Sequence, residues 1–263
     1  MFRITFFGTG NGLSYPNREN TFFLAQHLPG GTAYLVDCGG APWPKLVKAG
    51  VGPEELGAIV ITHAHPDHSY GLPALIQSLW LAGRKKPLPI YCPAGARKIV
   101  QGLLDLFELP TKPKMFPIEF REQSLEPKET EAIREGSLTV STFPAIHGIP
   151  TMGLSFLYES KDEPEKSPIK VVYSADTVYN PLLETVAMDA ACLIHECNGA
   201  EEAAGKHSSL HDVVRLMEKT KPKQVVLVHL TEGEAYERLM AQYGLKQPRF
   251  MLADDGMSIR VTG

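Results

Sequence analysis

Eight residues constrain this chain more than any others: Ile61-Thr62-His63-Ala64-His65-Pro66-Asp67-His68, directly after the apolar run Ala58-Ile59-Val60-Ile61. Three imidazoles and a carboxylate fall within six consecutive positions. Borderline divalent cations such as zinc accept both ligand types, and only a fixed backbone can hold such ligands in place. The apolar run supplies that backbone. Following Gly57 and ended by polar side chains, it reads as a buried strand of about five residues with protein on both faces. The ligands then sit at a strand's carboxyl end, where open α/β sheets bind ligands, and Pro66 stops the ladder, so a loop rather than a helix is expected there. A lone histidine in such a place is ordinarily an exposed loop residue. Four potential ligands in six positions reverse that reading.

A single short loop rarely fills a tetrahedral site, whereas two-metal hydrolases hold their ions about 3.5–4 Å apart and can share a ligand. Further ligands are therefore expected downstream. His147 follows the strand-like Leu138 to Phe143, Asp176 follows Val171 to Ala175, and His229 follows Val225 to Val228. Each alone would more often be structural. Ligands distant in sequence converge when several strand ends open onto one crevice, and this recurrence joins them to the first cluster.

No Gly-, Ser- or Pro-rich linker and no shift in charge divides the 263 residues, so one domain spanning 1–263 is expected. The hydrophobic share of 43% and charged share of 21% are those of a soluble globular protein. No apolar stretch approaches the roughly 18 residues that span a bilayer. The start, Met1 to Phe7, is too short and lacks the cleavage pattern for a signal peptide, so it reads as a first strand of a cytoplasmic protein. Cys38, Cys92, Cys192 and Cys197 form no Cys-x-x-Cys pair and read as buried free thiols. A net charge of −4 gives no general reason to bind nucleic acid. Arg84-Lys85-Lys86 and Lys219 to Lys223 read as cations near helix carboxyl termini.

Strands are expected at about 2–8, 21–26, 32–37, 88–92, 115–120, 138–143, 153–158, 170–173, 191–195 and 224–228. Helices are expected at about 72–80, 95–109, 181–187, 209–219 and 234–243. Turn signals before Gly39 and between Met115 and Tyr173 predict antiparallel pairing, and the number of helices rules out an all-β sandwich. Two sheets flanked by helices fit, and polar ligands at strand ends in both halves suit a duplicated β-rich unit.

The pattern from Phe7 to His229 resembles the metallo-β-lactamase superfamily, most closely its ribonuclease Z-like branch. It is carried by Gly8-Thr9-Gly10, Leu35-Val36-Asp37-Cys38-Gly39, His63 to His68 with Gly71-Leu72-Pro73, His147-Gly148, Ala175-Asp176-Thr177, His195-Glu196, His207-Ser208 and His229. The resemblance implies a four-layer αββα sandwich with two divalent metal ions, zinc or else manganese or iron. His63, His65 and His147 would bind one ion, Asp67, His68 and His229 the other, and Asp176 would bridge. Asp37 would shore up the loops without touching metal. A metal-bridging hydroxide, which coordination brings within reach of neutral pH, would attack phosphorus, with Asp67 able to orient it. His207 with Glu196 would give the leaving alkoxide its proton, although Cys197-Asn198 departs from the Ala-Thr usual there. His195 and His211 stand as candidate partners behind the ligands, and His27 as a loop residue.

The resemblance implies a phosphodiesterase. Ribonuclease Z-type cleavage at the 3′ end of transfer RNA is the near alternative, but its RNA-gripping insertion would lie between His147 and Asp176. Only 28 residues separate the two here, nearly filled by two strands and the charged tip Lys161 to Lys166. A small phosphodiester is thus favoured over RNA, with no membrane partner and with a homodimer open. Hydrolysis of a lactone or other acyl substrate is a further alternative, against which the proton-donating pair weighs. A redox di-iron role is disfavoured because His65 stands where that branch's resemblance would require a glutamate.

Overall fold

The computed structural model describes residues 1–160, 165 and 167–263; the charged tip expected at Lys161 to Lys166 lies, Glu165 apart, outside the described residues. Contacts group the chain into two compact units. The first holds Phe2–Ser124 and Asp254–Arg260; the second holds Leu125–Ala253 with Met1 and Val261–Gly263.

In the first unit the strands are β1 (Phe2–Gly8), β2 (Phe22–His27), β3 (Ala33–Val36), β4 (Leu56–Val60), β5 (Leu88–Pro93) and β6 (Ile118–Gln123). The helices are α1 (Pro42–Lys48), α2 (Pro66–Ser69), α3 (Leu72–Leu81) and α4 (Arg97–Asp105). Ser258–Val261, β14 in chain order, completes a seven-stranded sheet of order β14-β1-β2-β3-β4-β5-β6. The hairpin-joined strands β1 to β3 pair antiparallel, whereas β3 to β6, joined through helices, pair parallel. Leu46 of α1, Leu72, Leu75, Ile76 and Leu79 of α3, and Val100 and Leu104 of α4 form one core with Leu24, Leu35, Ile59 and Ile90 of the sheet. Helix α3 begins with Pro73 in its first turn and is followed by Gly83 at φ 86°.

The second unit contains β7 (Thr130–Glu135), β8 (Leu138–Pro144), β9 (Met152–Tyr158), β10 (Ile169–Tyr173), β11 (Cys192–Glu196), β12 (Val225–Val228) and β13 (Phe250–Leu252). Its helices are α5 (Leu183–Val186), α6 (Leu210–Thr220) and α7 (Tyr236–Gln242). The sheet order is β13-β12-β11-β10-β9-β8-β7. Strands β7 to β10 pair antiparallel and β10 to β13 parallel. Leu183 and Val186 of α5, Leu210, Val213 and Leu216 of α6, and Leu239 of α7 pack with Phe143, Val172, Leu193 and Leu227. Ser209 and Asp212 close a reciprocal capping box at the start of α6.

Three expectations are corrected. The segment after Pro66 is one helical turn, α2, because a proline in the first turn starts a helix even though it ends a ladder. Strand β6 pairs parallel, since α4 intervenes between it and β5, and α4 stops at Asp105 before Glu108 enters the left-handed region at φ 53°. Arg84 follows the carboxyl end of α3 as expected, and its guanidinium is buried, donating to the carbonyls of Pro53, Leu56, Lys86 and Pro87 at 2.6–2.9 Å. Helix α1 and strands β7, β13 and β14 escaped sequence reading. Prolines surround the start of α1, and β7 buries only Ile133 among polar residues, as edge strands do.

Candidate metal centre

In the first unit the cluster hangs from the carboxyl ends of β3 and β4. Asp37, directly after β3, takes φ 62°, a conformation a non-glycine residue adopts only when its surroundings hold it there. Those surroundings are explicit. The Thr62 amide and hydroxyl donate to the two Asp37 carboxylate oxygens at 2.7 and 2.9 Å, and His68 Nδ1 lies 2.8 Å from Oδ2. Burial pushes the Asp37 carboxyl up, while His68 and then Thr62 pull it back down. Its contact with Nδ1 turns His68 Nε2 toward Asp67, whose Oδ2 lies 3.3 Å away. His63 Nε2 lies 3.1 Å from His65 Nδ1, and the rings of His63 and His68 are 4.1 Å apart. Glycine is required at Gly39, where a Cβ would stand 2.3 Å from the Asp67 carbonyl oxygen.

The second unit builds its cluster on the ends of β8, β10, β11 and β12. The Ile146 amide donates to Thr177 Oγ1 and the Val178 amide to the Ile146 carbonyl, both at 3.0 Å, which ties the backbone before His147 to the segment after Asp176. Asp176 Oδ2 lies 3.2 Å from Nε2 of His229, itself held at φ 58° directly after β12. Nδ1 of His207 is 3.0 Å from Glu196 Oε1 and 3.8 Å from Asp176 Oδ2, and its ring stacks on that of His229. Glu196 Oε1 also accepts from the amides of Thr177 and Ser208, and Oε2 from that of Asn198. Burial, then the Asp176 charge, pushes the Glu196 carboxyl well up, opposed by His229 and the two amides. Four converging N–H donors nonetheless match a carboxylate, which accepts only. Ligand atoms of His147, Asp176 and His207 lie within 4.8 Å of one another, as do those of Glu196, His207 and His229.

The donor set fits divalent metal. Ligand atoms held about 2.0–2.2 Å from a tetrahedral ion stand about 3.3–3.6 Å from each other. The pairs His68 with Asp67, His229 with Asp176 and His63 with His65 stand at 3.1–3.3 Å, close to the edge of such a tetrahedron.

The chain matches the family model described as "Anti-Pycsar protein Apyc1" over residues 2–247. It belongs to the Apyc1 family. A ribonuclease Z of Methanothermobacter thermautotrophicus is 26% identical across 99% of this chain and 97% of its own. Among solved structures, the short form of human tRNase Z superposes with TM-score 0.78 at 23% identity, covering 99% of each chain. The metallo-β-lactamase fold protein YhfI of Bacillus subtilis superposes with TM-score 0.74 at 23% identity, covering 98% of each. This member of the Apyc1 family therefore has the metallo-β-lactamase fold, two mixed sheets flanked by helices, in its ribonuclease Z-like branch, and is a hydrolase of that superfamily with a His/Asp metal site.

The residues singled out from sequence are thus grouped as His63, His65, Asp67 and His68 in one unit and His147, Asp176, Glu196, His207 and His229 in the other. Thr62, Thr177 and Ser208 were not singled out as positioning groups, because a short hydroxylated residue carries no signal of its own. His195 is buried on β11 with Nδ1 2.6 Å from the Glu196 carbonyl; His211 is exposed on α6 and its Nδ1 meets the Glu201 carbonyl. His27 ends β2 with its ring edge-on to Phe2, not in a loop. The four thiols are free and buried; burial takes Cys192 up to about 12, so it is no nucleophile at neutral pH. No described helix is long and apolar enough to cross a membrane.

Proposed function

We propose that the protein is a dinuclear metal-dependent phosphodiesterase whose substrate is a cyclic nucleotide. His63, His65 and His147 would hold one ion, Asp67, His68 and His229 the other, and Asp176 would serve both. The observation that carries the chemistry is the Glu196–His207 pair, 3.0 Å apart and beside Asp176. An alkoxide leaving group needs a proton, and an imidazole fixed at Nδ1 by a carboxylate presents Nε2 to deliver it. The substrate class rests on membership of the Apyc1 family, and the 28 residues between His147 and Asp176 agree with a small ligand.

When bound, the two ions supply Lewis acidity at the phosphoryl oxygens and a water acidified to near neutrality. The chain's own residues do the rest. Asp67 orients the attacking water, Glu196 keeps His207 in one tautomer, and His207 Nε2 protonates the departing ribose oxygen. Processing of transfer RNA is a second reading, favoured by the ribonuclease Z relatives that match over nearly their whole length.

The test is turnover of a cyclic nucleotide, a generic phosphodiester, a precursor transfer RNA and a lactone by one metal-loaded preparation. Cyclic nucleotide is expected to give the highest kcat/KM. Preference for the precursor RNA would install the second reading, and preference for the lactone would refute both.

A further inference from the structure

Between Glu196 and Ser209 the chain makes a loop whose near half is fastened at several points. The Asn198 amide donates to the Ser208 carbonyl at 3.0 Å, and the Leu210 amide to the Gly199 carbonyl at 3.1 Å. The Ala200 amide donates to Glu234 Oε2, Thr231 Oγ1 donates to the Asn198 carbonyl, and Arg238 pairs with Glu201 Oε1 at 2.9 Å. The loop is thus bound to the segment that follows His229 and to α7.

Its far half ends differently. Gly205 turns the backbone at φ 63°, with nothing within 4 Å of where a Cβ would stand. The next carbonyl, that of Lys206, lies 2.9 Å from Nδ1 of His147, 59 residues away in sequence. The residue after that is His207, whose Nδ1 meets Glu196 and whose ring stands edge-on to that of His147 at 5.0 Å.

We propose that the Lys206 main-chain carbonyl is a positioning group: it accepts the Nδ1 proton of His147, fixing the tautomer and the ring so that Nε2 faces the metal. Because Lys206 and His207 are consecutive, one anchored loop sets both a metal ligand and the proton donor. This deepens the metal assignment of His147 and rests on it. A histidine ligand whose second nitrogen has lost its acceptor binds its metal about 10–100-fold more weakly.

A carbonyl cannot be substituted, but the turn that aims it can. Valine is strained at a left-handed φ and asparagine tolerates it, while the open space around Gly205 makes side-chain size irrelevant. Gly205→Val and Gly205→Asn are titrated with zinc by calorimetry, alongside ring-nitrogen NMR of labelled histidine in the zinc-loaded proteins. The expected result is that Gly205→Val weakens one of two zinc equivalents about 10-fold and loses the slowly exchanging His147 Nδ1 proton, while Gly205→Asn stays within about twofold of wild type. Wild-type affinity in Gly205→Val, or equal weakening in both variants, overturns the proposal. Should Gly205→Val not fold, Gly205→Ala at the same φ is read in its place. Two zinc ions in wild type with no effect of the turn would sink this inference alone; no zinc uptake by wild type would sink the metal reading with it.

Discussion

His207 is useful only while it can hand over a proton, and that depends on the group leaving. A ribose alkoxide needs protonation, whereas p-nitrophenolate departs without it, so His207→Ala should lower kcat for a cyclic nucleotide by about 10²–10⁴ and that for bis(p-nitrophenyl) phosphate far less. Equal losses on both substrates would remove His207 from the proton-donating role. His195 carries a different kind of pH dependence. Burial takes it down to about 4 despite the opposing Glu196 carbonyl and Asp212 charge. The unfolded chain therefore binds a proton between pH about 6.5 and 4 that the native chain does not, so stability is complete above that window and falls as pH drops through it. The ceiling is about 3 kcal/mol, and urea denaturation at several pH values should show the slope flattening in His195→Gln. An unchanged slope would mean that other groups cause it. His63 to His68 were legible because their spacing is itself the signal. Lys206 was not, because a backbone carbonyl has no sequence identity.

Elements matter here chiefly through their ends. Asp37 follows β3 and His229 follows β12, both at positive φ, and Ala175 at φ 52° precedes Asp176 after β10. Strand positions could be read from apolar runs, but these strained exits could not, since backbone strain is imposed by surrounding contacts rather than by local propensity. Asp37 is where the strain has a visible purpose: its carboxylate takes Thr62 and His68 together. Asp37→Asn puts an N–H against one of those donors, and metal affinity is expected to fall about 10–100-fold in a chelator competition assay. Unaltered affinity would reduce Asp37 to a packing residue. Away from the site, Arg84 joins the turns flanking β4 and β5 by four hydrogen bonds to carbonyls. Arg84→Ala strands those carbonyls and should cost at least about 3 kcal/mol in urea denaturation, against about 0.5 kcal/mol or less for Lys85→Ala. Comparable losses would leave Arg84 no more than a cation near the carboxyl end of α3.

Across the whole chain, pairing directions run antiparallel, antiparallel, parallel, parallel, parallel from β1 to β6 and again from β8 to β13. The repeat in ligand-bearing strand ends hinted at this duplication, yet no shared residues revealed it, because pairing direction follows from connection length and can persist while every side chain changes. The two units bring different chemistry: the first supplies imidazoles and a carboxylate from one short segment, the second gathers its donors from four strand ends. Ions that bind only the native state stabilise it by mass action. Removal of metal with a chelator should therefore lower the melting temperature and abolish hydrolysis together, and return of about two equivalents of zinc or manganese should restore both. Elemental analysis of the restored protein fixes the stoichiometry. Activity that survives exhaustive chelation, or full recovery at one equivalent with no second binding event, would refute the two-metal reading.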